Sequence, residues 1–199
     1  AIAGKSVVAF ENVSKEGVVI ATHSDINDKE QTVDFPKVGT TLTDSKTKDH
    51  VANAEEKVTL IDKVEYHNLI VGKEYTVKGE LMDKATGKSI DVKAETKFKA
   101  DKADGSVDLK FEFDASKLAG KSVVAFENVY NGKELVAVHA DINDKGQTVD
   151  FPSLGTSLTS KVDGSKKLTP SEKTVLVDKV QYTGLIVGKE YTVKGELMD

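Results

Sequence analysis

The chain has no cysteine, no tryptophan and no arginine, and only three prolines among its 199 residues. Without cysteine there is neither a disulfide framework nor a thiolate metal site. A cystine-free extracellular protein then needs a large core or some other staple. Without arginine the preferred side chain for phosphates and buried ion pairs is missing, and every base is a lysine suited to a solvated surface. With a net charge of −5 as well, no nucleic-acid partner is expected. No apolar run approaches the length of a membrane span and no leader is recognisable, so no membrane partner is expected either. Hydrophobic residues at 38% and charged ones at 31% describe a folded chain rather than a disordered one.

What is present is repetition. Residues 1–83 align without a gap on 117–199, an offset of 116, with 50 identities by direct count. "AGKSVVAFENV" is identical at 3–13 and 119–129, and "LIVGKEYTVKGELMD" at 69–83 and 185–199. A period of 116 is a whole domain, too long for a solenoid unit. The chain therefore reads as a tandem array, with its joints at "DFPKVG" and "DFPSLG", where Pro36 and Pro152 suit a strand end and a short stiff connection. The complete domain is placed at 37–152. Residues 1–36 would end a preceding repeat and 153–199 begin a following one, both ends being expected to continue in a longer array.

Each repeat reads as β-structure. "EYTVKGELM" alternates, with Tyr75, Val77 and Leu81 on one face. "SVDLKFEF" places Val107, Leu109, Phe111 and Phe113 inward, and "AETKFKA" does so for Ala94, Thr96 and Phe98. Turn signals such as "KATGK", "KADGS" and "YNGKE" separate the runs, and no segment has a 3.6-residue period. Short strands with one wet face each predict an all-β fold: tandem immunoglobulin-like antiparallel β-sandwiches.

Certain polar residues share the apolar face. In "TLIDKVEY", Asp62 lies with Leu60, Val64 and Tyr66, and Asp178 repeats it. A buried unpaired carboxylate costs several kcal/mol or takes up a proton, so Asp62 requires a partner. Glu127 lies with Val123 and Ala125, although Phe126 on the other face leaves its direction open. His139 aligns with Leu135 and Ala137, Gln147 with Val149 and Phe151, Thr40 with Leu42, and Thr156 with Leu158. Singly, each has an ordinary structural explanation. Together they place a hydroxyl, a carboxamide, an imidazole and two carboxyls in one domain. "DINDK" at 141–145 lacks the glycine and terminal glutamate of an EF-hand loop and reads as a polar turn, so no metal is expected.

"GTTLT", "DKVEY", "VVAFE" and "HADINDKGQT", in that order, resemble the Val-Ala-Phe-Glu (VaFE) repeats, the Thr–Gln ester-bond domains of cell-wall-anchored adhesins of Gram-positive bacteria. The resemblance covers the whole chain. It implies a collagen-adhesin B-type sandwich, an extracellular cell-wall-anchored location, a pilus-like fibre of adjacent repeats, and host contact through other domains. It also implies an intramolecular ester between Thr40 and Gln147, promoted by Asp62, Glu127 and His139. Thr41 becomes Ser157 in the second copy, whereas Thr40 stays threonine as Thr156; Thr43 also persists, as Thr159. Glu11, His23 and Gln31 in the first repeat, and Thr156 and Asp178 in the third, would be partial sites.

In the chemistry so implied, His139 takes the Thr40 proton, and a protonated Asp62 or Glu127 polarises the Gln147 carbonyl. Ammonia leaves once per domain, with no cofactor and no turnover. The alternatives are a Lys–Asn isopeptide in the same stalk role, a ligand-binding adhesin module, and a hydrolase using His139, Asp62 and a threonine. No lysine stands plainly on an apolar face, and an aromatic content of 6% offers no obvious binding platform. The two end pieces together lack 116 − 83 = 33 residues of a period, which favours a longer array over pairing between molecules.

Overall fold

A computed structural model describes residues 2–199. Among these residues every regular element is a strand, and every strand pairing is antiparallel. The region 37–152 holds two sheets. One has three strands in the order β5 (Lys37–Asp44), β6 (Val58–His67), β9 (Gly105–Phe113). The other has five: β11 (Glu134–His139), β10 (Lys121–Asn131), β7 (Glu74–Asp83) and β8 (Lys88–Lys99) in that order, with β12 (Thr148–Phe151) also on β10.

The core lies between the sheets because each inner face is apolar at every second residue. On β6, Val58, Leu60, Val64 and Tyr66 are buried, and Asp62 is buried in line with them. They meet Leu109 and Phe111 of β9 and face Val77 and Leu81 of β7, Val123, Ala125 and Val129 of β10, and Phe151 of β12. Gly79 marks the closest approach. A Cβ there would overlap Leu109 and stand 2.7 Å from Cζ of Phe111. Gly79→Ala is therefore expected to cost about 1–3 kcal/mol through overpacking, read as a lower denaturant midpoint with an unchanged slope.

Two details of β10 position the site. Its Lys121–Val124 half pairs with β12 and its Glu127–Asn131 half with β11, on one edge, while β7 pairs along the other. Between the halves the chain leaves the ladder at His139 and rejoins it near Gln147, where Ala125 N donates to Gln147 O at 3.1 Å. The opposite sheet closes onto this gap, since Leu42 N of β5 donates to Gly146 O at 2.9 Å. The first and last strands of the domain thus meet beside Gln147. The expected inward position of Leu135 is not found: it is 50% exposed, because a bulge at Val129/Tyr130 shifts the β10–β11 register.

The flanking pieces form smaller sheets. β1 (Ser6–Val8) pairs with β4 (Thr32–Asp34), β2 (Glu11–Lys15) with β3 (Val18–His23), and β13 (Ser153–Ser160) with β14 (Leu176–Thr183). Residues 190–199 have the same sequence as β7 but form no strand. The identical letters fold differently because β7 is held between β10 and β8, and residues 190–199 have no such neighbours.

Candidate crosslink site

Thr40, Asp62, Glu127 and Gln147 come together where β5 meets the gap on β10. Strand pairing fixes each in place. Leu42 is opposite Asp62 and Thr40 opposite Val64, which puts the threonine one step along the same inner face as the aspartate. Glu127 is opposite Gly79 on one side and His139 on the other. The inward direction of Glu127, open in the sequence, is settled: Asp62, Glu127 and Gln147 are all 0% exposed, and Thr40 is half-buried.

Thr40 Oγ1 donates to Glu127 Oε2 at 3.2 Å, and Gln147 Nε2 donates to Asp62 Oδ1 at 3.3 Å. Nucleophile and amide are thus held against the same pair of carboxyls. Three oxygens in this pocket, Asp62 Oδ2, Glu127 Oε1 and Gln147 Oε1, are buried without a hydrogen-bond partner. Such groups are expensive unless a proton between them is shared. The carboxyls are close enough for each to change the other's proton affinity. Burial pushes Glu127 up to about 10, with the nearby Asp62 charge adding to it. Burial also raises Asp62 to about 6, opposed by the neighbouring Glu127 carboxyl and by the His139 charge. At neutral pH the pair therefore holds one proton, and Glu127 is the acid.

A pH dependence follows. Each carboxyl binds its proton more tightly folded than unfolded, so in the window between its two pKa values rising pH favours the unfolded chain. For Asp62 the window runs from the ordinary 3.8 to about 6, and for Glu127 from 4.5 to about 10. A Thr40→Ala domain, which cannot form the bond, should lose stability steadily from about pH 5 to pH 9, by at most about 1.4 kcal/mol per pH unit for each titrating group. Denaturant melts across that range check it.

His139 stands beside Glu127 and is partly open, with its side chain 22% exposed. The sequence reading gives it the Thr40 proton, but the hydroxyl hydrogen-bonds Glu127 instead, and His139 Nε2 bonds Asp144 Oδ2 at 2.8 Å. Asp144 is the residue that sequence reasoning passed over. It does belong to the polar turn, with its N–H on Asp141 O at 3.0 Å. It also accepts Gly146 N–H on Oδ1 at 2.7 Å and takes the Thr148 hydroxyl on its carbonyl. One residue thus orients the histidine and the backbone that carries Gln147. The available signal was the five-residue His-to-Asp spacing, which recurs as His23 and Asp28.

The partial sites reproduce fragments of this geometry. Glu11 pairs with His23, and His23 Nε2 bonds Asp28 Oδ2 at 2.8 Å, matching Glu127, His139 and Asp144. Leu158 pairs with Asp178 and Thr156 with Val180, matching β5 and β6. Gln31 is half-buried. The structure does not bring these two sets together.

A family model described as "T-Q ester bond containing domain" matches residues 1–35, 36–151 and 152–199. The chain belongs to this family. An adhesin from Mobiluncus mulieris with intramolecular disulfide, isopeptide and ester bond cross-links is similar over 75% of this chain and 74% of its own, at 16% identity and TM-score 0.47. A second crystal form of that adhesin gives a TM-score of 0.48. A glycosyl hydrolase family 2 member from Bacteroides cellulosilyticus is similar over 77% of this chain but 18% of its own, at 12% identity and TM-score 0.46. No curated protein sequence matches. The ester-bond domain of this chain is an antiparallel all-β sandwich, with Thr40 on its first strand and Gln147 immediately before its last.

Proposed function

We propose that residues 37–152 are a load-bearing link in a bacterial surface adhesin stalk, anchored at the cell wall and locked by an ester between Thr40 Oγ1 and Gln147 Cδ. The observation that carries this reading is the contact of both residues with one buried carboxyl pair across the seam between the first and last strands. A bond at that seam passes tension from strand to strand, so the sheets between need not unzip.

The residues supply the steps. Glu127 accepts the Thr40 proton on Oε2 as it gives its own from Oε1 to the Gln147 oxygen, so no full charge develops in the dry pocket. Oγ1 bonds to Cδ. Asp62, already on Nε2, holds the amide, and His139 stands beside Glu127. As the carbonyl reforms, its hydroxyl proton returns to Glu127 Oε1, the proton that Glu127 took from Thr40 passes through the carboxyl pair to Nε2, the Cδ–Nε2 bond breaks and ammonia leaves, so Glu127 ends protonated as it began. Holding the groups in place replaces a bimolecular encounter by a high effective molarity. The event happens once per domain and is not turnover.

Intact mass tests the reading directly. The parent chain should lack one ammonia, located within 37–152, and hydroxylamine should cleave the bond. A full calculated mass for the parent would reject it. An isopeptide also loses ammonia but resists hydroxylamine, and among the described residues no lysine or asparagine is buried. Asp144→Ala should slow bond formation by about 10- to 100-fold by freeing His139, followed by the time course of the mass loss after refolding.

A further inference from the structure

Of the 28 lysines, Lys84 alone is not exposed. It opens the turn after β7, where its N–H donates to Ser122 O at 3.0 Å. Asp83 caps that turn by accepting the Ala85 and Thr86 N–H groups, both at 3.0 Å. The backbone that carries Lys84 is therefore fixed on both sides. Its ammonium has no ion-pair partner among the described residues, in a chain with 33 acidic side chains. Nζ donates instead to the Thr148 hydroxyl at 2.8 Å. Ordering a long charged side chain and drawing it partly out of water costs free energy, and one hydrogen bond to a neutral hydroxyl offsets little of it.

The place of that hydroxyl gives the arrangement a purpose. Thr148 is buried and follows Gln147 directly. Thr148 and Met82 both pair with Val124 of β10, on its opposite edges. Lys84, two residues beyond Met82, thus reaches across the width of β10 from β7 to β12. Val124 is buried but does not belong to the core between the sheets, so the crossing lies on the outer face, behind Gln147.

The Thr148 hydroxyl has a single proton and gives it to Asp144 O at 2.7 Å, so toward Lys84 it can only accept. A directed relay results, from ammonium through hydroxyl to the Asp144 carbonyl, in which each bond strengthens the next. Asp144 also holds His139 and, through Gly146 N–H, the backbone before Gln147. Gln147 is therefore clamped on both sides by one aspartate, and Lys84 ties that clamp to β7. The turn supplies its own half of the relay, since Thr32 Oγ1 donates to Asp28 O at 2.6 Å in the first repeat. The lysine is the non-local half, 64 residues from Thr148. We propose that Lys84 is a positioning residue for ester formation, holding the Gln147 carboxamide in register with Thr40 and the carboxyl pair through Thr148 and Asp144. This rests on the Thr–Gln chemistry proposed above. A strap that only stabilised the sheet would lower the unfolding midpoint and leave the reaction of the folded chain unchanged.

The test follows ammonia loss by intact mass in the whole 199-residue chain after refolding, with circular dichroism on the same samples marking the end of folding. Rates are taken only from that point, so stability does not enter them. Lys84→Met and Thr148→Val should each slow the bond by about 10-fold, short of the roughly 100-fold that a misplacement of about 1 Å costs. The double variant should be no slower than either single one, because both cut the same relay. Thr148→Ser, which keeps the hydroxyl, should react near the parental rate. A parental rate in Lys84→Met, or effects that multiply in the double variant, would overturn this inference while the parent's mass deficit leaves the ester standing. A parent with its full calculated mass would reject the ester itself, and this inference with it.

Discussion

Thr40→Ala is expected to restore the full calculated mass and to remove the largest single stabilising element of the domain. The closed loop spans 147 − 40 = 107 positions. By analogy with a disulfide, a loop of about 100 residues withdraws roughly 4–5 kcal/mol of freedom from the unfolded chain. At about 4 °C per kcal/mol for a domain of this size, the melting midpoint should fall by roughly 15–20 °C. The folded state itself is little changed by the substitution, since the Thr40 hydroxyl makes one hydrogen bond, to Glu127. Thr40→Ser separates the two contributions: it keeps the nucleophile and should keep the mass deficit and most of the stability. A Thr40→Ala midpoint within a few degrees of the parent would show that the bond does not restrain the unfolded chain. Pulling on the chain by its ends should tell the same story mechanically, with the loop between Thr40 and Gln147 absent from the released length of the parent and present in the variant.

Glu127→Gln should have the second largest effect, on rate rather than on folding. Because burial and the Asp62 charge keep Glu127 protonated at neutral pH, the substitution exchanges one neutral side chain for another of nearly the same shape. The fold should survive. The amide, however, cannot take a proton at one atom as it releases another. Bond formation should slow by about 10²–10³-fold, the range found when one acid–base or oxyanion partner is removed. Asp62→Asn is the informative comparison. It keeps a group near Gln147 Nε2 but removes the charge that adds to the effect of burial on Glu127, so Glu127 should give up its proton at lower pH and the rate should fall off earlier than the parent's as pH rises. Crosslinking of Glu127→Gln at the parental rate would assign the proton shuttle elsewhere, to His139.

Much of this was readable in the letters, for reasons that differ by residue. Asp62 stood out because β6 alternates strictly, so one charged residue in the apolar row is conspicuous. Glu127 was ambiguous because β10 is covered on both faces near its middle: Val123, Val124 and Ala125 are all buried, and alternation carries no direction where both sides are dry. Leu135 was misplaced by a bulge, which alternation cannot see. Asp144 was hidden because a turn residue has a sufficient local reason to be polar, and its hydrogen bond to His139 leaves no periodic trace. The identical stretches at 69–83 and 185–199 mark the limit. No rule that reads only those fifteen letters can return a strand for one and none for the other, since the deciding information is the presence of β10 and β8.

The partial opening at His139 has a bearing on how long the bond lasts. Asp62, Glu127 and Gln147 are wholly enclosed, so the site meets solvent at the histidine and at the half-buried Thr40. On the proposed chemistry, ammonia would leave past these two residues and water would enter by the same route. A tighter wall there would trap the leaving group, and a looser one would expose the ester to hydrolysis, so the lifetime of the proposed bond would be decided at this edge rather than in the core.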